Sequence, residues 1–153
     1  MGDAPVSVIR EMARREALGE GVDVLAVDLK GQGPLRVVRV VIDRKGGVPL
    51  DVCQRISQRL SRQLDAADPI AGRYTLEVTS PGLDWPLDDR ESFDRVEGRE
   101  VVIQRRGEGG RVEQVRGRVV HAGDHAVELD DDKAGIVAVP YDDIVKAAQA
   151  LPW

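Results

Sequence analysis

Apolar residues in this chain recur with two different periods, and the period changes mark the elements. Residues 7–18 place Ile9, Met12, Ala13 and Ala17 at helical spacing, with Ser7 as the N-cap and Gly19 as the stop. From 22 to 29 the chain alternates as a strand, with Val22, Val24 and Ala26 on one face and Leu25, Val27 and Leu29 on the other. Gly31-Gln32-Gly33-Pro34 is a turn, and the β-branched run 35–42 is a second strand. Val52, Ile56, Leu60 and Leu64 then recur every fourth residue, which predicts the strongest helix of the chain. Asp51 and Gln54 outline a capping box at its start, and Asp68-Pro69 ends it. Tyr74, Leu76 and Val78 alternate with Thr75, Glu77 and Thr79 as a third strand. Helix, strand, strand, helix, strand in that order predicts an α/β sandwich with one three-stranded sheet.

Beyond Leu87 the segments shorten. A helix is predicted over 89–97, with Phe93 and Val96 inward and Gly98 after it. Strands follow over 101–104, 111–120, 126–129 and 136–140, then a one-turn helix at Tyr141-Asp142-Asp143 and a closing strand over 144–151. Five short strands with one helical turn before the last predict a small Sm/SH3-like β-barrel. The expected architecture is therefore α+β in two domains, an N-terminal α/β domain over 1–86 and a C-terminal barrel over 87–153.

Charge sharpens this division. Residues 1–86 carry 12 Lys and Arg against 12 Asp and Glu, whereas residues 87–153 carry 10 against 15, so the whole net charge of −5 lies in the second half. An acidic module repels nucleic acid at long range and attracts basic proteins. The aromatic residues, Tyr74, Trp85, Phe93, Tyr141 and Trp153, are too few for the stacking platform of a single-strand RNA reader. With 32% charged residues and no long apolar run, no membrane span is expected. Residues 1–20 hold no hydrophobic block, so no secretory signal is expected either. A lone cysteine, Cys53, cannot form an internal disulfide, and together these features point to a cytoplasmic protein.

Little here promises covalent chemistry. Gly31-Gln32-Gly33 is followed by a strand, not by the helix whose N-terminus a dinucleotide loop needs. Cys53 sits beside the apolar stripe of its helix, and no histidine in that half could serve as its base. His121 and His125 flank a predicted turn with no further ligand near, short of what zinc requires. Gly107-Glu108-Gly109-Gly110 has the spacing of a nucleic-acid clamp but joins two strands, so it is read as a hairpin tip. No enzyme, cofactor or metal site is expected. Arg55, Arg59 and Arg62 form a basic stripe on a second face of the long helix. It is either a solvated surface or a ridge that contacts phosphate, as Arg105 and Arg106 near the tip could also do.

The segment between the two halves is the most individual. Ser80-Pro81-Gly82-Leu83 has the composition of a type II turn, with Gly82 at the positive-φ position, and Pro86 keeps Trp85 extended. It reads as a joint that holds an angle rather than a flexible tether. The run Leu76-Glu77-Val78-Thr79-Ser80-Pro81-Gly82-Leu83-Asp84-Trp85-Pro86-Leu87 resembles the signature of the ribosome maturation factor RimP family. Thr79 replaces the family's usual serine, and Trp85 its usual arginine. The stretch 52–70, with Val52-Cys53, Ile56-Ser57, Leu64-Asp65 and Asp68-Pro69-Ile70, resembles the same family.

That resemblance implies a bacterial assembly factor that associates with the free small (30S) ribosomal subunit and assists its maturation. It implies an N-terminal α/β domain followed by an Sm-like barrel, with ribosomal protein twelve of the small subunit and 16S rRNA as partners. A monomer with no membrane attachment is expected, its acidic barrel holding a basic ribosomal protein. The alternative is an Sm-like RNA-binding regulatory module not tied to the ribosome.

Overall fold

Val38, Val40 and Ile42 are fully buried at every second position of one strand, and the first half of the chain is built around them. The structure, a computed structural model, describes residues 3–150. Strand β2 (Val37–Asp43) lies between β1 (Asp23–Lys30), to which it is antiparallel, and β3 (Thr75–Thr79), to which it is parallel. The parallel pair is bridged by the long helix α2 (Leu50–Ala67), as a crossover between parallel strands requires. Helix α1 (Asp3–Glu20) packs beside α2 and against β1. Ile9, Ala13 and Ala17 from α1 meet Val52, Cys53, Ile56, Leu60 and Leu64 from α2 in one core. Tyr74, just before the third strand, packs against the same core with Leu76 and Val78 of that strand.

Local details depart from the sequence reading, each for a physical reason. Helix α1 begins a turn before Ser7, because Pro5 is tolerated in a first turn, where a missing N–H leaves no bond unmade. It runs past Gly19 and stops at Gly21 (φ 71°), whose N–H donates to the Leu18 carbonyl while Val22 N–H donates to that of Ala17. These two bonds form a Schellman closure. Asp51 is not the cap of α2. Pro49 holds that position with no side-chain bond, and Asp51 lies inside the first turn. The other end of α2 is closed by Asp68 in the left-handed region (φ 48°). In β1 a bulge between Val24 and Ala26 shifts the alternation by one. Val22, Val24, Val27 and Leu29 therefore all face the core, rather than dividing between two faces.

The chain divides into two compact units between Pro81 and Gly82. In the second unit, α3 (Arg90–Arg95) starts with a true capping box. Ser92 N–H donates to Asp89 Oδ1 at 2.8 Å, and Asp89 N–H donates to Ser92 Oγ at 3.1 Å. Five antiparallel strands follow: β4 (Glu100–Arg106), β5 (Val112–Ala122), β6 (Ala126–Asp131), β7 (Gly135–Pro140) and β8 (Ile144–Gln149). Leu151, at the end of the expected closing strand, lies outside the described residues. A single helical turn over Tyr141–Asp143 precedes β8, as the sequence predicts. The sheet order is β7-β6-β5-β4-β8.

The second sheet is open, so the expected barrel is not closed by hydrogen bonds. Among the described residues no ladder joins β7 to β8, which remain its two edges. Phe93 lies fully buried among Val101, Ile103, Val119, Val127, Leu129 and Val139, and its ring stands 6.0 Å from that of Tyr141. Tyr141 Oη donates to the Gly123 carbonyl at 2.7 Å, tying the helical turn to the β5–β6 connection.

Candidate functional site

The basic stripe on α2 is largely occupied by the protein itself. Arg55 donates through Nη2 to Glu20 Oε1 at 2.9 Å and through Nε to Glu20 Oε2 at 3.0 Å, a bidentate pair, while its Nη1 donates to Asp51 Oδ2 at 3.0 Å. Arg59 Nη1 lies 3.2 Å from Glu20 Oε2 and 3.9 Å from Glu16 Oε2. One turn further along α2, Gln63 donates to Glu16 Oε1. The hydrogen bond from Arg55 holds the Glu20 carboxyl below its usual value, and the same guanidinium lowers Asp51. Arg55 is in turn held charged by these two carboxylates.

Two of the three arginines thus fasten α2 to α1. Arg62 is exposed and makes no ion pair with a described residue. The spacing of Glu16 and Glu20, four apart on α1, was the available signal for this clasp, but it shows only once the two helices are laid side by side.

Arg105 and Arg106 close β4 beside the hairpin tip, whose Gly107 N–H donates to the Arg111 carbonyl. Arg105 faces Glu113 across the β4–β5 ladder with 3.8 Å between Nε and Oε2, longer than a hydrogen bond, and its Nε is buried without a described partner. Arg106 is exposed. The open groove of about 700 Å³ here is lined by Arg105 and Arg106 but also by Glu108, Glu113 and Asp143, so its charge is mixed. His121 is an exposed residue of β5, and the His125 carbonyl accepts from Tyr141 N–H at 3.1 Å. Burial raises the Cys53 thiol above its usual value, which makes it a poor nucleophile. No helix among the described residues is long and apolar enough to cross a membrane.

The signature segment does not form the expected type II turn. Gly82 stays outside the left-handed region, and the turn begins two residues later, with Trp85 N–H donating to the Gly82 carbonyl at 3.1 Å across Leu83 and Asp84. What Gly82 supplies is room: a Cβ there would lie 2.8 Å from Asp84 Oδ1. Ser80 and Pro86 are exposed, Pro81 and Trp85 are half-buried, and Leu87 enters the second core, its N–H donating to the Ala147 carbonyl at 2.9 Å.

Residues 13–84 match the family model described as the RimP N-terminal domain. The first unit carries an N-terminal domain of the RimP family. The match runs from the middle of α1 through both helices and all three strands of the first sheet, and ends at Asp84 inside the signature. RimP proteins are ribosome maturation factors. The clasp of Glu16, Glu20, Arg55 and Arg59 lies wholly within this RimP-type domain, whereas Arg105 and Arg106 lie beyond it.

Proposed function

We propose that this chain assists maturation of the small (30S) ribosomal subunit in the cytoplasm, as a binding factor without covalent chemistry. The match of residues 13–84 to the RimP N-terminal domain carries the reading. The second unit, with an Sm-like fold whose sheet is open at both edges, holds a strongly basic protein such as ribosomal protein twelve of the small subunit. The confinement of the net charge of −5 to residues 87–153 supports that choice. Contact with 16S rRNA backbone falls to Arg62, Arg105 and Arg106. Arg55 and Arg59 would reach phosphate only by exchanging Glu20 for it. Ser80, Pro81, Gly82, Leu83, Asp84, Trp85, Pro86 and Leu87 act as the joint between the two binding units.

A regulatory RNA-binding module is disfavoured by the acidic second half and by the shortage of aromatic stacking surfaces. The deciding experiment is affinity capture from dividing bacterial cells followed by sucrose-gradient fractionation. Recovery with precursors of the small subunit is expected; recovery with a small RNA and no ribosomal protein would reject the proposal.

A further inference from the structure

The excess acidity of the second unit is not spread evenly. Residues 87–118 carry eight arginines and eight carboxylates, whereas residues 119–145 carry seven carboxylates and a single lysine, Lys133. That second stretch runs from the later part of β5 through β6 and the edge strand β7 to the start of β8.

Strand β7, Gly135-Ile136-Val137-Ala138-Val139-Pro140, holds no charged residue. Strand β8, the opposite edge of the sheet, carries the exposed Lys146. Edge strands are ordinarily protected by charge, because their outward N–H and C=O groups are a template for another chain. In β7 the ladder to β6 uses one side of the backbone, and no other backbone hydrogen bond joins Gly135–Pro140 to a described residue. Ile136 is 59% exposed and Ala138 is exposed as well, so apolar side chains accompany the open backbone.

Residues paired across a ladder share a face of the sheet, and the register sets Asp130 beside Ile136 and Glu128 beside Ala138. The small side chain of Ala138 leaves the Glu128 carboxylate within reach of a long cation on a strand added outside β7. Asp132 lies in the turn before the strand, where Asp131 Oδ1 accepts from the Lys133 and Ala134 N–H groups, and Asp142 and Asp143 follow the strand's end.

We infer that β7 takes up an extended, Lys/Arg-rich segment of a protein partner as a sixth strand of the sheet, with the backbone supplying affinity and the flanking carboxylates selecting basic sequence. This rests on the reading that the second unit holds a basic protein and says how it does so. A second copy of this chain is a poorer occupant, since it would bring an equally acidic edge against the first.

The test uses the full chain with two kinds of probe: a seven-residue peptide alternating Lys or Arg with Val, and ribosomal protein twelve of the small subunit. The peptide is also made with N-methyl groups on either alternate set of residues, at unchanged charge. One methylated set should bind about tenfold or more weakly while the other is tolerated, because only alternate N–H groups of a strand face its neighbour. Amide exchange should slow in β7 with either unmodified probe, and Ile136→Lys should weaken both by about tenfold without lowering the melting temperature.

Equal binding of all the peptides would overturn the inference, since charge alone would then suffice. So would protection of another element, or a dimer of the chain that Ile136→Lys dissolves. Tight binding of the ribosomal protein with β7 amides unprotected removes the edge-strand inference and leaves the proposed function. No binding of the ribosomal protein, with β7 still pairing to the peptide, removes the named partner and leaves the edge.

Discussion

Arg55 Nη2 stands 2.9 Å from Oε1 of Glu20, a residue 35 positions earlier in the chain, and this bond fastens the two helices of the first unit at their polar rim. Glu20 is the more enclosed partner, its side chain 12% exposed against 44% for Arg55. The arrangement gives α2 a definite rotation: Val52, Ile56, Leu60 and Leu64 go into the core, and the arginine one position before Ile56 reaches sideways to α1.

Acid should loosen this clasp. Glu20 and Asp51 are both held below their ordinary values by Arg55, so their contribution to stability is complete above those values, 4.5 and 3.8, and is lost as pH falls through the lower folded-state values. Urea midpoints measured from pH 7 to pH 2 should therefore fall less steeply below about pH 4.5 in Glu20→Gln than in the parent. An unchanged slope would mean that the bond contributes nothing in solution.

Arginine substitutions should separate docking from scaffolding. Arg62→Ala is expected to weaken association with the small subunit and leave the melting temperature unchanged. Arg55→Ala is expected to lower the melting temperature, since it leaves Glu20 without its main partner. Gradient co-sedimentation and thermal melting of both variants check this, and identical behaviour of the two would show that the stripe acts as one surface.

Three glycines should respond differently to alanine. Gly82→Ala meets only the movable Asp84 carboxylate and should cost no more than about 0.5 kcal/mol. Gly98, at φ 86° in open space, should cost roughly 1–2 kcal/mol through backbone strain alone. At Gly117 a Cβ would lie 2.8 Å from the Asp130 carbonyl, backbone that cannot turn aside, and overpacking of about 1–3 kcal/mol is expected. Denaturant unfolding of the three variants gives the order directly.

Tyr141→Phe should destabilise the second unit by about 0.5–1.5 kcal/mol, the usual worth of one hydrogen bond, because it leaves the Gly123 carbonyl without its donor. Burial raises the Tyr141 phenol above its ordinary value of 10.0. The stability that goes with its neutral form is complete below that value and is lost as pH rises through the higher folded-state one. Alkaline unfolding curves of parent and variant should converge there.

Hydrophobic periodicity by itself determines much of this protein. The four-residue repeat of α2, the alternation at Tyr74, Leu76 and Val78, the short strands around Phe93 and the helical turn at Tyr141–Asp143 are written in near neighbours. Burial of one face needs only the right period. Features that join distant residues were beyond its reach. Whether Arg55 and Arg59 meet solvent or carboxylates depends on where α1 lies, and the face of Leu25 depends on a bulge set by pairing with β2. Gly82 shows the same limit: the local composition matched a type II turn over Ser80–Leu83, while the folded chain turns over Gly82–Trp85 and closes it with the Trp85 N–H on the Gly82 carbonyl. Local patterns encode which side chains seek burial, and the packing of separate elements decides which polar groups then have a partner.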